Sequence, residues 1–118
     1  MDAASALADL TEISSQIAGA VVVGPRGGVQ ASTLDDAARA KRLAEAARAL
    51  LDAAAQDERV PTQLEAATPA GCVFVVREGS RLIAATTGPE PTVGLVFYDL
   101  KSCLRSIEQG GKKDDGAA

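Results

Sequence analysis

The chain begins with a helical pattern of apolar residues and continues with a strand pattern. Between residues 3 and 17 the apolar positions recur every three to four residues, at Leu7, Leu10, Ile13 (or Ser14) and Ile17. This spacing predicts a surface helix with one apolar stripe. The β-branched run 20–23 predicts a buried strand, and turn residues 25–28 lead into an alternating second strand over 29–33.

An Ala-rich helix is predicted next, from a cap at Thr33 or Asp35 to about Gln56. At about 100° per residue its positions fall into three stripes. The core stripe comprises Ala40, Leu43, Ala47, Leu50, Leu51 and Ala54. A solvated stripe carries opposite charges at helical-neighbour spacing, on Lys41, Glu45, Arg48 and Asp52. The third stripe, which we call the alanine ridge, comprises Arg42, Ala46, Ala49 and Ala53.

The alanine ridge has two interpretations. Ala fills exposed helix positions well, because its helix propensity is high. Alternatively, a ridge of small side chains allows another helix to approach closely. An isolated domain needs only the Leu-bearing face of this helix, so the sequence favours a partner helix against the ridge.

The second half of the chain predicts three strands and a last helix. Residues 60–68 alternate between apolar and polar, and Pro61 near their start indicates an edge strand. Residues 72–76 are apolar on both sides, as in a central strand, and a hairpin turn leads to a further strand over 81–87. Residues 93–98 fit either a strand or a helix, whereas the apolar spacing beyond them is helical, at Leu100, Cys103 (or Leu104) and Ile107.

With Thr92 as a plausible N-cap, we predict one helix from Val93 to about Gln109. The polar, Gly-rich residues 110–118 predict a disordered tail. The prediction is therefore a single domain over residues 1–109 followed by that tail.

The composition excludes most familiar catalytic chemistry. The 118 residues include no His and only two Cys, which excludes Ser-His-Asp and Cys-His catalysis, His-bearing zinc sites and four-thiolate zinc sites. The net charge of −4 and the pI of about 4.7 argue against a nucleic-acid partner, which requires a basic patch. We expect no catalytic residues, no metal and no cofactor.

The N-terminus and the cysteines indicate the compartment. Asp2 stands where a secretory signal carries a basic residue, and no apolar run is long enough for membrane insertion. Cys72 and Cys103 each lie within an apolar run, which predicts reduced core residues. These features predict a cytoplasmic protein.

The predicted elements, in order and length, resemble the Roadblock family of dynein light chains and their prokaryotic relatives. Three places carry the resemblance: residues 17–23 with 28–32, similar to the family's opening hairpin; the Ala-rich second helix with its charged linker; and residues 92–100, similar to the start of the last helix. It covers about residues 5–109. Phe97 departs from the pattern, because many members carry a basic residue there.

The resemblance implies an α/β (α+β) fold of the order αββαβββα. The five-stranded antiparallel sheet would carry the first and last helices on one face and the second helix on the other, and residues 93–98 would be helical. Such domains dimerise by placing their second helices side by side and pairing their third strands. The implied dimer or partner interface comprises Arg42, Ala46, Ala49, Ala53, Gln63 and Glu65.

The function implied by the resemblance is a non-enzymatic homodimer that binds a small Ras-like GTPase. It would act as a prokaryotic signalling scaffold or regulator, either GTPase-activating or GTPase-interacting. The alternative is a nucleotide-independent structural adaptor resembling the dynein-associated light chains. Arg26, Arg77 and Arg81 lie near predicted hairpin turns, where an arginine finger could reach a partner's phosphate. The family resemblance argues against that role, because GTPase-regulating members are thought to reposition the GTPase's own residues.

Overall fold

A computed structural model describes the backbone of residues 1–117 and the side chains of residues 1–107. The elements follow the order predicted from the sequence. They are α1 (Ala3–Ile13), β1 (Ile17–Val23), β2 (Val29–Ser32), α2 (Ala37–Ala54), β3 (Gln63–Thr68), β4 (Gly71–Glu78), β5 (Arg81–Thr87) and α3 (Val93–Ala117).

The five strands form one sheet in the order β2-β1-β5-β4-β3, and every neighbouring pair is antiparallel. The predicted edge position of the third strand is confirmed, since β3 pairs with β4 alone within the described chain. The strand starts at Gln63 rather than at residue 60, because the chain first makes a tight turn over residues 56–59.

Alternation along the strands divides the core between the two faces of the sheet. On one face, Ala20, Val22 and Phe74 pack with α1 and α3; on the other, Val21 and Val75 pack with α2. Successive strand residues point to opposite faces, so a continuous apolar run such as residues 20–23 serves both layers. The predicted fold class and the placement of the three helices are confirmed.

The boundaries of two predicted helices need correction. The first helix ends at Ile13 and not at residue 17: Ser14 caps it by donating its N–H to the Leu10 carbonyl at 2.9 Å. Ile17 pairs with Thr87 as the first residue of β1, and Ile13 is 72% exposed. Pairing of this segment with β5 therefore overrides the helical spacing.

The second helix is shorter than predicted at both ends. Its N-cap is Asp36, whose side chain accepts from the Ala38 N–H at 2.8 Å. It ends at Ala54 rather than at Gln56, which instead exchanges two backbone hydrogen bonds with Arg59. These bonds close the turn that leads to β3.

At the start of α3 the carbonyl of Thr92 accepts from the N–H groups of Leu95 and Val96, at 3.1 and 3.0 Å. Residues 93–98 are thus helical, as the resemblance implied. The backbone of α3 continues to Ala117, beyond the predicted helix end at about Gln109. The predicted domain end at residue 109 and the tail over 110–118 fall beyond the side chains described, so both stay predictions. No helix within residues 1–117 combines the length and the apolar character needed to cross a bilayer.

Candidate functional site

Helix α2 meets the sheet through one narrow stripe of small residues and a leucine. Its buried positions are Ala40, Ala44, Ala47 and Leu51. Leu43 and Leu50 of the predicted core stripe are only partly buried, Ala54 is exposed, and Ala44 was not predicted. The helix is rotated towards Ala44 relative to the prediction, because small side chains at 40, 44 and 47 allow it to lie close to β1.

The alanine ridge is exposed along its whole length: none of Arg42, Ala46, Ala49 and Ala53 is covered by the described part of the chain. Leu43 and Leu50 flank the ridge on its core side and are also incompletely buried. The helix therefore presents a surface that is flat and mostly apolar. Such a surface suits close contact with another helix.

The edge strand β3 presents backbone hydrogen-bonding groups to the outside. The N–H of Arg77 donates to the Thr62 carbonyl at 2.8 Å, so the backbone of Thr62 is directed towards β4. Hydrogen-bonded and non-hydrogen-bonded pairs alternate along antiparallel strands. The outward-directed groups accordingly belong to the odd-numbered residues of the strand, Gln63, Glu65 and Ala67.

The side chains of β3 separate the six predicted interface residues into two sets. Glu65 lies opposite Phe74, and Gln63 opposite Val76, so both side chains are on the sheet face that carries α1 and α3. The alanine ridge lies on the other side of the sheet. The side chains of Gln63 and Glu65 therefore do not form one surface with the ridge. At the open edge of β3 these two residues contribute backbone groups.

Groups with nucleophilic or metal-binding chemistry are dispersed or buried in the described residues. Cys72 and Cys103 are both free and buried, as the sequence predicted. Burial, and to a lesser extent the Asp9 carboxylate, raise the pKa of the Cys103 thiol to about 11, so the reactive thiolate is disfavoured. Within residues 1–107, no three His, Cys, Asp or Glu side chains come together as metal ligands.

A second exposed surface lies between α1 and α3. A cleft of about 330 Å³ runs along the junction of these helices, with Cys103 and Asp99 among its lining residues. Around it, Ile13 is 72% exposed and Tyr98 68% exposed, both large side chains. This surface and the alanine ridge are on opposite sides of the sheet.

Solved structures of other proteins have the same arrangement of helices and strands. No protein-family model matches the sequence, and no curated protein matches it at a significant level. A Roadblock/LC7 domain from Streptomyces avermitilis superimposes with a TM-score of 0.80 at 17% identity, covering 92% of this chain and 97% of that chain. The chain has the Roadblock/LC7 fold.

Other solved structures are similar in fold. Myxococcus xanthus MglB is similar with a TM-score of 0.69 and 15% identity, over 89% of this chain and 90% of that chain. LokiProfilin2, solved in a complex with rabbit actin, is similar with a TM-score of 0.60 and 14% identity, over 88% and 94% of the two chains. At such low identity the similarity defines the fold, and one fold can carry several functions.

Proposed function

We propose that this Roadblock/LC7-fold protein is a cytoplasmic, non-enzymatic homodimer that binds a small Ras-like GTPase as a regulator or scaffold. The observation that carries the proposal is the exposed alanine ridge of α2 on a domain whose edge strand β3 is open. The family resemblance of the sequence supports the GTPase as partner. The scarcity of clustered reactive groups in the described residues supports a role through binding.

The dimer follows from the two open features together. Pairing of two β3 strands about a two-fold axis perpendicular to the sheet satisfies the outward groups of Gln63, Glu65 and Ala67. The same axis keeps both α2 helices on one side of the extended sheet. The small side chains at 46, 49 and 53 then allow the two helices to pack closely.

The variant Ala49→Glu tests the dimer. A glutamate at this position adds bulk and a charge that loses its hydration at a close helix contact. We expect the variant to sediment as a monomer at a micromolar concentration at which the wild type sediments as a dimer. Ala8→Glu, at an exposed position of α1, is the matched control and should stay dimeric. A dimeric Ala49→Glu variant would rule out the ridge as the interface.

The GTPase partner is tested by binding in two nucleotide states. Calorimetric titration with Ras-like GTPases, each loaded with GDP or with a GTP analogue, should show binding that depends on the nucleotide. Absence of binding to every candidate GTPase would refute the partner. The protein alone should hydrolyse no nucleotide, and release of phosphate by the purified dimer would refute the non-enzymatic role.

The surface between α1 and α3 favours a second candidate function, a nucleotide-independent adaptor. Its exposed Ile13, Leu95 and Tyr98 give the molecule an apolar contact area away from the proposed dimer interface. An adaptor needs such a second area, because the first is used by its own partner subunit. Equal binding of a partner in both nucleotide states would favour this function over the first.

A further inference from the structure

The cleft at the junction of α1 and α3 combines apolar walls with carboxylates. Its lining includes Leu10, Ile13 and Tyr98 together with Asp9 and Asp99. No Lys or Arg side chain in the described part of the chain lines it. An acidic cleft with apolar walls suits a cation that is carried on an apolar body.

The basic side chains of the two helices do not compensate the carboxylates of the cleft. Helix α1 contains neither Lys nor Arg. Lys101 and Arg105 of α3 instead line a separate surface beside β4, where Arg105 pairs with Glu78 at 3.4 Å. This is the one ion pair among residues 1–107, so neither a side chain nor the amino group of Met1 pairs with a carboxylate of the cleft.

Asp99 is the residue of the cleft that points most directly to a ligand. It is only 8% exposed. The side-chain hydrogen bonds described for α3 start from Arg105 and Ser106, and neither reaches Asp99. A carboxylate that is withdrawn from water without a partner costs free energy. Because Asp99 lines the cleft, a cation that enters the cleft would supply the missing partner.

The surroundings of the cleft favour a cation that belongs to a larger apolar surface. Ile13 and Tyr98 are 72% and 68% exposed, and Leu95, one helical turn before Asp99, is 50% exposed. A small amine in the cleft would leave these side chains in water. A Lys or Arg side chain with apolar neighbours would cover them, because its aliphatic stem packs on apolar surface while its charged end reaches a carboxylate.

From this arrangement we propose that the cleft docks an amphipathic helix of a partner protein, with one Lys or Arg side chain directed at Asp99. The walls of the cleft are two helices, whose backbone groups bond internally, so an extended peptide would find no backbone partners there. A helix satisfies its own backbone, and its side chains fit the groove between two other helices. The inference rests on the adaptor function proposed for this surface and adds the chemistry of the partner.

The cleft is independent of the proposed dimer interface. Helices α1 and α3 pack on one face of the sheet and α2 on the other. Two α2 helices that pack together would therefore leave the cleft of each copy open. We expect each chain of the dimer to bind one helix.

Titration of the full chain with three model peptides, followed by amide NMR, tests the proposal. The peptides are alanine-based helices of about 18 residues, long enough to be helical alone, with leucines at helical spacing. They differ in one central residue, which is Arg, norleucine or Glu. We expect saturable shifts along α1 and α3 with the Arg peptide, at one peptide for each chain. The other two peptides should bind about tenfold or more weakly, because they lack the charge-assisted contact.

The variant Asp99→Asn assigns the contact to this carboxylate. It should bind the Arg and norleucine peptides equally, because the charge that distinguishes them is gone. The control Asp52→Asn removes the same charge from an exposed position of α2 and should bind as the wild type does. The melting temperature of Asp99→Asn should equal or exceed that of the wild type, since its carboxylate has no described partner to lose. A marked fall would show that Asp99 serves the fold and would overturn the proposal.

Other outcomes would also overturn the proposal. Equal binding of the Arg and Glu peptides, or no shift on α1 and α3, would exclude a basic helix. Butylguanidinium that binds as tightly as the Arg peptide would make the cleft a small-molecule site. Shifts that follow protein concentration alone would show that a second copy occupies it. A whole partner bound equally in both nucleotide states and in Asp99→Asn would leave the adaptor function standing and remove the docked basic helix.

Discussion

Phe97 shows how a single residue can depart from a family pattern without loss of the fold. Its ring meets Phe74 edge-to-face, with the ring centroids 5.0 Å apart, and it packs against the core between the sheet and α3. Many members of the family that the sequence resembles carry a basic residue at this position, and a basic side chain could not make this contact. The aromatic pair adds about 0.5–1.5 kcal/mol beyond the burial of its area, which is useful in a core with few large side chains.

At the same scale, the turn before β3 places two non-glycine residues in the left-handed region. Asp57 has a φ of 52° and Glu58 a φ of 65°, a conformation that costs an L-residue about 1–2 kcal/mol. We expect Glu58→Gly to stabilise the protein by about 0.5–1 kcal/mol, since glycine adopts this conformation freely and part of the gain is offset by its greater freedom when unfolded.

Urea denaturation at one protein concentration measures this change as a higher midpoint with an unchanged slope. The matched control is Glu45→Gly, the same substitution at an exposed position within α2. It should destabilise the protein by about 0.5–1 kcal/mol, because glycine is unfavourable inside a helix. Equal destabilisation by both substitutions would contradict the strain at Glu58.

The thiol of Cys103 gives a pH dependence. Its pKa rises from an ordinary value of 9.0 to about 11 in the folded protein, first through burial and then through Asp9. The folded state therefore holds this proton more tightly than the unfolded state does, and the stabilisation is complete below pH 9 and decreases as pH rises towards 11. We expect the melting temperature to fall over this window, and to fall less steeply in Cys103→Ala. Parallel curves for the two proteins would be evidence against this role.

At the scale of elements, the backbone of β3 is hydrogen-bonded to β4 on one side and open on the other. Its even-numbered residues are directed to β4 by their backbone, whereas the outward groups of Gln63, Glu65 and Ala67 make it an open edge. Open edges pair readily with other strands unless charge or proline protects them. Glu65 is the single charge within β3, so the edge is only weakly protected.

Glu65→Pro separates the fold from the proposed strand pairing. Proline at this position removes an outward N–H and none that bonds to β4, so the domain should fold with its sheet intact. We expect the variant to be monomeric by analytical ultracentrifugation, while Glu65→Ala, which keeps the N–H, should remain a dimer. If Glu65→Pro were to fold and still form dimers, pairing through β3 would be wrong.

At the scale of the whole molecule, the two faces of the sheet are unequally covered. Helices α1 and α3 together cover one face, whereas α2 alone packs on the other, against a core that includes the partly buried Leu64 and Val73. A second copy contributing its own α2 would balance the two faces. In the proposed dimer, both second helices would form one continuous surface.

A shared surface predicts the stoichiometry of GTPase binding. Because a GTPase on this surface would contact both copies, we expect one GTPase for each dimer in calorimetric titration. Ala49→Glu, which should abolish the dimer, should also abolish binding, while Ala8→Glu should leave both intact. One GTPase bound for each monomer would show that the site lies within a single chain.

The order of the elements and their type could be predicted from local pattern. Three local patterns each fit one kind of element: the alternation in 60–68 and the apolar run 20–23 fit strands, and the Ala-rich stretch before residue 55 fits a helix. The absence of His from the sequence likewise excluded whole classes of chemistry at the outset. These properties depend on neighbouring residues or on composition, so no contact over distance is needed to predict them.

Only the tertiary structure decided which residues meet. It ended α1 at Ile13 because Ile17 pairs with Thr87, seventy positions along the chain. It placed the backbone of Gln63 and Glu65 at the open edge of the sheet and their side chains on the sheet face opposite α2. Both placements depend on the register with β4. It also brought Arg48 of α2 and Arg77 of β4 to one end of the domain. Each of these depends on pairing between distant segments, and local sequence does not determine such pairing because the register follows from packing of the whole sheet.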